Sequence, residues 1–212
     1  INLVSTNANN SQAYAKPGDN ITLFFTSSEP IQIPVITLAD DDSLGVIDNS
    51  TNQDGTSWKV IYPVTSGEAN RATTFSITYK DIAGNIGDNR TQANSNTNSI
   101  TVDTQAPVLT SLSMSTDNAD TYRAKTGNRL TLSFSANENL DPNSLELKLN
   151  GVDKKPSRSG SKWEHSHTFT DSDPEGPINM VLNYKDLAGN SGIEKKSPHD
   201  VRTIDFDRIA PT

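Results

Sequence analysis

The chain contains no cysteine. That excludes a disulfide framework and any thiolate-ligated zinc site. It does not by itself indicate a reducing compartment. No apolar run approaches the ~20 residues that a membrane-crossing helix needs. Cations are in deficit, with 18 Lys and Arg against 26 Asp and Glu for a net charge of −8. The Lys and Arg clusters that grip phosphate are therefore missing, and nucleic acid is not expected as a partner. The same balance supplies carboxylates able to hold cations. Hydrophobic residues reach only 32% and aromatics 6%, which fits thin sandwiches with much surface better than a thick α/β core.

Catalytic signatures are also missing. There is no Gly-x-Ser-x-Gly, no His-Glu-x-x-His and no phosphate-cradling glycine loop before a helix. The only three histidines, His165, His167 and His199, fall in the second half. Paired carboxylates occur in turn-like segments, whereas a glycosidase sets them across a cleft. The expectation is a non-enzymatic protein.

What is present is a repeat. Phe75-Ser-Ile-Thr-Tyr-Lys-Asp-Ile-Ala-Gly-Asn85 aligns with Met180-Val-Leu-Asn-Tyr-Lys-Asp-Leu-Ala-Gly-Asn190 at an offset of 105, which Trp58 and Trp163 keep. Upstream, Ile21, Leu23, Phe25 and Glu29 align with Leu130, Leu132, Phe134 and Glu138 at an offset of 109. A loop near the middle is therefore four residues shorter in the second copy. Thr104-Gln105-Ala106-Pro107 marks the junction, because Pro suits a linker or the first residue of a strand. The copies are read as 1–105 and 106–212. The start at Ile1, without Met or signal peptide, reads as a segment of a longer protein.

Apolar residues alternate with Thr and Ser at period two, as in Ile21-Leu23-Phe25 and Leu130-Leu132-Phe134. Strands are expected near 1–6, 20–27, 32–38, 43–48, 56–64, 73–80 and 98–103, then 108–115, 128–136, 144–150, 161–170, 178–185 and 199–205. Pro30 and Pro34 mark the third as an edge or interrupted strand. The fold class that follows is all-β: two tandem immunoglobulin-like (Ig-like) antiparallel β-sandwiches of about seven strands each, arranged end to end. Trp58 and Trp163 are expected as core anchors on the fifth strand, without the disulfide that such a Trp covers in antibody domains.

The Tyr-Lys-Asp-x-Ala-Gly-Asn segment reads as a tight turn between the last two strands. Gly84 and Gly189 would supply positive φ, and the Asp and Asn would close the turn by side-chain hydrogen bonds. Topology adds a functional reading. Second and sixth strands end at the pole where the chain enters the sandwich. That places Glu29, Asp81 and Asn85 together in copy one, and Glu138, Asp186 and Asn190 in copy two. The linker delivers Asp103 and the Thr104 carbonyl toward the second set. Carboxylates so gathered repel unless protonated or neutralised. Ca²⁺ is the natural neutraliser, since it takes 6–8 oxygen ligands in flexible geometry.

Val102-Asp-Thr-Gln-Ala-Pro107 at a junction, with Asp-x-Ala-Gly-Asn in each copy, resembles the Ig-like repeats of large bacterial surface adhesins and biofilm proteins. The resemblance covers essentially the whole chain. It implies an extracellular, cell-surface array in which Ca²⁺ at junctions stiffens a rod, as in cadherins. Asp103 would be the linker aspartate, Asp81 and Asp186 the turn aspartates, and Asn85 and Asn190 would end the motif. Ile204-Asp-Phe-Asp-Arg-Ile-Ala-Pro211 reads as two residues longer than Val102 to Pro107. Either Asp205 or Asp207 could then be the second linker aspartate. Glu29, Asp81, Asn85, Asp205 and Asp207 would form outer half-sites. The partners implied are neighbouring repeats. The alternatives are a module binding a host or cell-surface glycan or protein, and an accessory domain of a secreted polysaccharide-active enzyme.

Other features read blandly. Asp40-Asp41-Asp42 is a solvated loop or a cation site, and Asp171 to Gly176 a turn without the EF-hand pattern. His165 and His167, at i and i+2 on the face of Trp163, are half a metal site or a polar-tolerant edge. Asn-x-Ser/Thr occurs at Asn9, Asn20, Asn49 and Asn89, and matters only in a secretory eukaryote.

Overall fold

The structure is a computed structural model that describes residues 1–8, 13–38, 46–48, 54–91, 99–197 and 199–211. The chain divides into two compact units, Ile1–Gln105 and Ala106–Thr212.

Unit 1 carries β1 (Asn2–Ser5), β2 (Tyr14–Ala15), β3 (Asn20–Thr26), β4 (Val35–Leu38), β5 (Val46–Asp48), β6 (Ser57–Pro63), β7 (Arg71–Ala72), β8 (Phe75–Thr78) and β9 (Thr101–Val102). They pair in the orders β1-β3-β6-β5, β4-β8 and β2-β9-β7. The alternation decides which side chains turn inward. Ile21, Leu23 and Phe25 of β3, with Trp58, Val60 and Tyr62 of β6, are all at most 7% exposed. They share one core with Ile36 and Leu38 of β4, Phe75 and Ile77 of β8, and Val102 of β9. Residues of different sheets filling one core make this a sandwich. Each such side chain contributes ~1.5–3 kcal/mol by leaving water.

Unit 2 repeats the plan with β10 (Leu109–Thr116), β11 (Arg123–Ala124), β12 (Arg129–Ala136), a 3₁₀ turn (Pro142–Ser144), β13 (Glu146–Leu149), β14 (Val152–Lys154), β15 (Ser157–Ser159), β16 (Lys162–Thr168), β17 (Gly176–Pro177), β18 (Met180–Asn183), β19 (Lys195–Lys196) and β20 (Asp205–Phe206). Its sheets are β10-β12-β16-β15, β14-β13-β18-β19 and β11-β20-β17. Phe25 faces Trp58 across β3–β6, and Phe134 faces Trp163 across β12–β16. The rings stack with centroids 6.3 and 6.4 Å apart, each pair 11° from parallel. Both tryptophans anchor cores, as their spacing indicates.

Three differences from the sequence-based expectation have physical causes. Among the described residues each unit has more strands than seven, because two- and three-residue pairings such as β2–β9 are too short to show a period. That pairing and β11–β20 are parallel, within otherwise antiparallel units. Asn150 (φ 49°) and Gly151 (φ 78°) close a two-residue hairpin between β13 and β14, as Asn-Gly does when both central residues need positive φ. The strand expected over 199–205 shrinks to Asp205–Phe206. The Asp200 carboxylate instead accepts the Lys196 N–H at 2.8 Å and the Lys195 ammonium at 3.4 Å, and such side-chain bonds draw backbone away from a ladder.

A second glycine in each repeat is as constrained as that of the Ala-Gly-Asn turn. A Cβ on Gly87 would lie 2.2 Å from the Tyr79 ring, and one on Gly192 would lie 2.1 Å from the Tyr184 ring. Each ring therefore lies flat on bare backbone. Gly192→Ala is expected to destabilise unit 2 by ~1–3 kcal/mol through overpacking, read from the denaturant midpoint. Gly87→Ala should cost less, since Tyr79 is only partly buried. Gly67→Ala, with nothing within 4 Å, is the neutral control.

Candidate functional site

Each Asp-x-Ala-Gly-Asn segment closes a hairpin. The Asp81 N–H donates to Asn85 O (3.0 Å), while Asp81 Oδ1 accepts the Asn85 N–H (2.8 Å) and Asp81 Oδ2 the Asn85 amide (2.6 Å). Asp186 and Asn190 repeat this at 3.1, 2.9 and 2.8 Å. Gly84 and Gly189 sit at φ 97° and 89°, supplying the positive φ that the turn requires. The Asn85 side chain and N–H hold the Asp81 carboxyl below its ordinary value. The structural role of the motif is thus met, with a carboxylate fixed at each tip. The hairpin does not lead straight into the last strand. Its return arm bridges back at Lys80–Ile86 and Ile77–Arg90, and β9 joins another sheet.

The loop after the second long strand meets this hairpin in both units. An Ile31–Asp81 bridge, with Gln32 N–H to Lys80 O at 2.9 Å, does so in unit 1. A Leu140–Asp186 bridge, with Asp141 N–H to Lys185 O at 2.9 Å, does so in unit 2. Glu29, Asp81 and Asn85 consequently line one cavity. In unit 2, carboxylate oxygens of Glu138 and Asp186 lie within 4.8 Å of each other, and Asp186 is 1% exposed. The donors are hard oxygens, the class that Ca²⁺ takes.

Asp103 and Thr104 are fixed on unit 1. The Asp103 N–H donates to Ala15 O at 2.9 Å. The Asn70 amide donates to Asp103 Oδ1 at 2.8 Å, and Asn70 Oδ1 accepts the Thr104 N–H at 2.9 Å. Thr104 Oγ1 donates to Glu68 O at 2.7 Å. Sequence reasoning missed Asn70, because the aligned position in the second copy is Glu175 and no repeat signal marks it.

Register decides between Asp205 and Asp207. Val102 pairs with Ala15 and Phe206 with Ala124. Asp207 N–H donates to Ala124 O at 2.9 Å, as Asp103 does to Ala15. Asp207 Oδ1 also accepts the Ile209 N–H at 2.9 Å, as Asp103 Oδ1 accepts that of Gln105 at 3.2 Å. Asp207 is therefore the counterpart of Asp103, and the two segments are equal in length, not two residues apart. Aligning Val-Asp with Ile-Asp hid this; the buried Ile100 and Ile204 set the register. Asp205 corresponds to Thr101 and pairs with Arg123 at 3.2 Å.

The histidines occupy core-facing positions of β16. His167 Nε2 contacts Asp173 Oδ1 at 2.9 Å, repeating the Tyr62 hydroxyl to Glu68 bond of unit 1 at 2.7 Å. Burial opposes ionisation of Asp173, yet the Thr170 N–H and hydroxyl and His167 together hold its carboxyl below the ordinary value. The segment from Asp171 to Gly176 is thus a turn closed by Asp173 onto Thr170. His165 stands where unit 1 has Val60. Its Nδ1 lies 3.3 Å from Lys155 O, and its Nε2 is buried without a partner. Among the described residues, neither His joins a metal-holding cluster. Asp40, Asp41, Asp42, Asn9 and Asn49 lie outside the described residues. Asn20 is half-buried in β3, and exposed Asn89 accepts a bond from Ser76 Oγ.

No family model matches the chain, and no curated protein matches it. Solved structures do resemble it. The fibronectin(III)-like modules of Clostridium thermocellum CbhA align over 97% of this chain and 94% of theirs, at 12% identity and TM-score 0.43. The D00-D0 domain of Intimin aligns over 97% and 99%, at 15% identity and TM-score 0.33. A Bacteroides ovatus mixed-linkage glucan utilization locus protein, SGBP-B, aligns over 92% of this chain and 43% of its own, at 14% identity and TM-score 0.26. The Ig-like sandwich assignment rests on the strands and cores above. No helix is long and apolar enough to cross a membrane among the described residues.

Burial pushes the His165 imidazole below its ordinary value, with Lys154 and His167 adding repulsion. A histidine whose folded pKa is depressed charges first in the unfolded chain. Its contribution is complete above the unfolded value of ~6.5 and is lost as pH falls below it. Unit 2 should therefore lose stability between pH 7.5 and 5, and His165→Val should flatten that slope, measured by urea midpoints across the range.

Proposed function

We propose that this chain is a repeat segment of an extracellular, cell-surface adhesin whose acidic poles hold Ca²⁺ to limit bending between neighbouring repeats. The observation that carries the reading is the Glu138–Asp186 pair, two carboxylates within 4.8 Å, one of them buried. Like charges that close repel one another, and a cation between them offsets the repulsion. Glu138, Asp186 and Asn190 supply the oxygens from unit 2. Asp103 and the Thr104 carbonyl are the remaining donors. The Val108 N–H is held by Asn137 Oδ1 at 2.8 Å, one residue before Glu138. Bound calcium would supply the positive charge that offsets the repulsion among the three carboxylates.

The chain's own groups do the remaining work. Asn190 orients the Asp186 carboxylate, and Asn70 orients Asp103. A cation gripped by both sets of donors binds the docked arrangement better than the undocked one, and so shifts the population toward it. Glu29, Asp81 and Asn85, and Asp207 at the other end, carry one side of such a site and should bind more weakly alone. Asp205 is occupied by Arg123 and is the poorer candidate.

Calcium titration by calorimetry on the whole chain should give one saturable site. Calcium at a hundred times its Kd should stabilise the fold by about 2.7 kcal/mol. Glu138→Gln should abolish the heat, and Asp103→Ala should weaken binding while leaving the calcium-free melting temperature nearly unchanged. EDTA should broaden the X-ray scattering distance distribution of the wild type alone. Millimolar calcium that leaves both heat and melting unchanged would sink the proposal.

A further inference from the structure

A sheet edge offers unpaired N–H and C=O groups to any strand that can lie beside it, and folds blunt such edges with brevity, charge or proline. Among the described residues, unit 2 has three sheets and therefore six edges. Five of them are blunted. β15 is three residues long and carries Arg158, and β14 is three residues long and carries Asp153 and Lys154. β19 is Lys195–Lys196, β11 holds Arg123, and β17 holds Pro177.

The sixth edge is β10, Leu109–Thr116. It has eight residues, none of them charged and none of them proline or glycine. It pairs with β12 alone. Antiparallel strands turn only part of their backbone groups toward a given neighbour, so β10 presents the rest on the side away from β12. At one end the edge is engaged. The register shifts between Leu109 and Ser111, and the Leu109 backbone hydrogen-bonds the Tyr184 hydroxyl. Beyond that, among the described residues, no backbone bond outside the β12 ladder reaches Ser111–Thr116. The open run has a symmetry of its own. Ser111, Ser113 and Ser115 are exposed, Leu112 is partly buried, and Met114 is 3% exposed. Read outward from Ser113 in either direction, the order is apolar, then serine.

We propose that β10 is a homotypic pairing edge, at which a second copy of this chain adds its own β10 antiparallel with Ser113 opposite Ser113. Ser111 then meets Ser115 and Leu112 meets Met114, so each face of the sheet keeps its character across the seam. The serine row is already continued on the inner side by Ser135, Ser133 and Thr131, which stand opposite Ser111, Ser113 and Ser115 in β12. Two four-stranded sheets become one of eight. The contact is isologous and closes at the dimer. A single strand pair belongs with the weak interfaces below ~1,200 Å², so it is transient between free chains and strengthens where copies are held side by side. No carboxylate takes part, and the pairing does not depend on calcium.

Sedimentation velocity of the whole chain in EDTA, from micromolar to millimolar, should show a reversible shift from monomer toward dimer and no further. Ser113→Lys and Ser113→Glu each set like charges across the two-fold axis. Each should keep the chain monomeric with a nearly unchanged melting temperature, because Ser113 is exposed. Mixed in equal amounts, the two variants should pair with each other about tenfold more tightly than either pairs with itself. A wild-type chain that stays monomeric at millimolar concentration overturns the proposal. So do single variants that self-associate like the wild type, a mixture that stays monomeric, or assembly beyond the dimer.

Discussion

The poles of both sandwiches depend on one hydrogen-bonded carboxylate. Asp81 and Asp186 each sit at the tip of a hairpin, and each is gripped by the backbone and side chain of the Asn four residues on. That grip closes a turn which also needs positive φ at the preceding glycine. It also fixes a carboxylate where the loop after the second long strand arrives. In unit 2 the arriving group is Glu138, so the stability of the turn and the repulsion at the pole have the same source. A turn aspartate replaced by a neutral residue would relieve the repulsion and open the hairpin together. The structural role of the motif therefore does not by itself argue against the proposed cation site.

The Tyr–Gly contact gives the hairpin its rigidity from below. Tyr79 and Tyr184 lie on Gly87 and Gly192 so closely that no Cβ fits, and the Gly N–H returns to the Tyr carbonyl at 3.1 and 3.0 Å. The ring sets the height of the return arm, and the arm sets the aspartate. Sequence inspection found the Tyr-Lys-Asp-x-Ala-Gly-Asn run because it is contiguous and repeated. The glycine two residues later is repeated as well, but Ile86 and Ser191 between share no chemistry, so alignment by residue type ends the run before it.

Most of the sandwich was legible because burial alternates wherever a strand is longer than about four residues. Ile21-Leu23-Phe25 and Leu130-Leu132-Phe134 announce their faces. The pairings that escaped notice are two or three residues long, and a period of two cannot be recognised in β2 or β17. Asn150-Gly151 is a hairpin signal legible in the sequence. The candidate carboxylates followed from topology alone, through the rule that second and sixth strands finish at the same pole. Asn70 did not follow, since its role depends on β7 lying beside β9, a contact between residues over thirty positions apart with no pattern to betray it.

The trailing ends of the two units show how one scaffold carries different chemistry. Asn70 and Thr104 hold the first linker through neutral hydrogen bonds, leaving Asp103 as the charge presented there. At the matching positions unit 2 has Glu175 and Arg208, joined by an ion pair at 3.3 Å, and Arg208 also donates to the Asp171 carbonyl. The backbone bonds of Asp207 are the same, so the aspartate is presented alike while its surroundings are not. Beside Asp207 stands the Arg208–Glu175 ion pair, where Asp103 has the Asn70 amide and the Thr104 hydroxyl. The two linkers thus differ in their side-chain partners, even though their register, turn geometry and terminal Ala-Pro are shared. Repetition of a motif therefore transmits backbone geometry from copy to copy, while the side chains around it are free to differ.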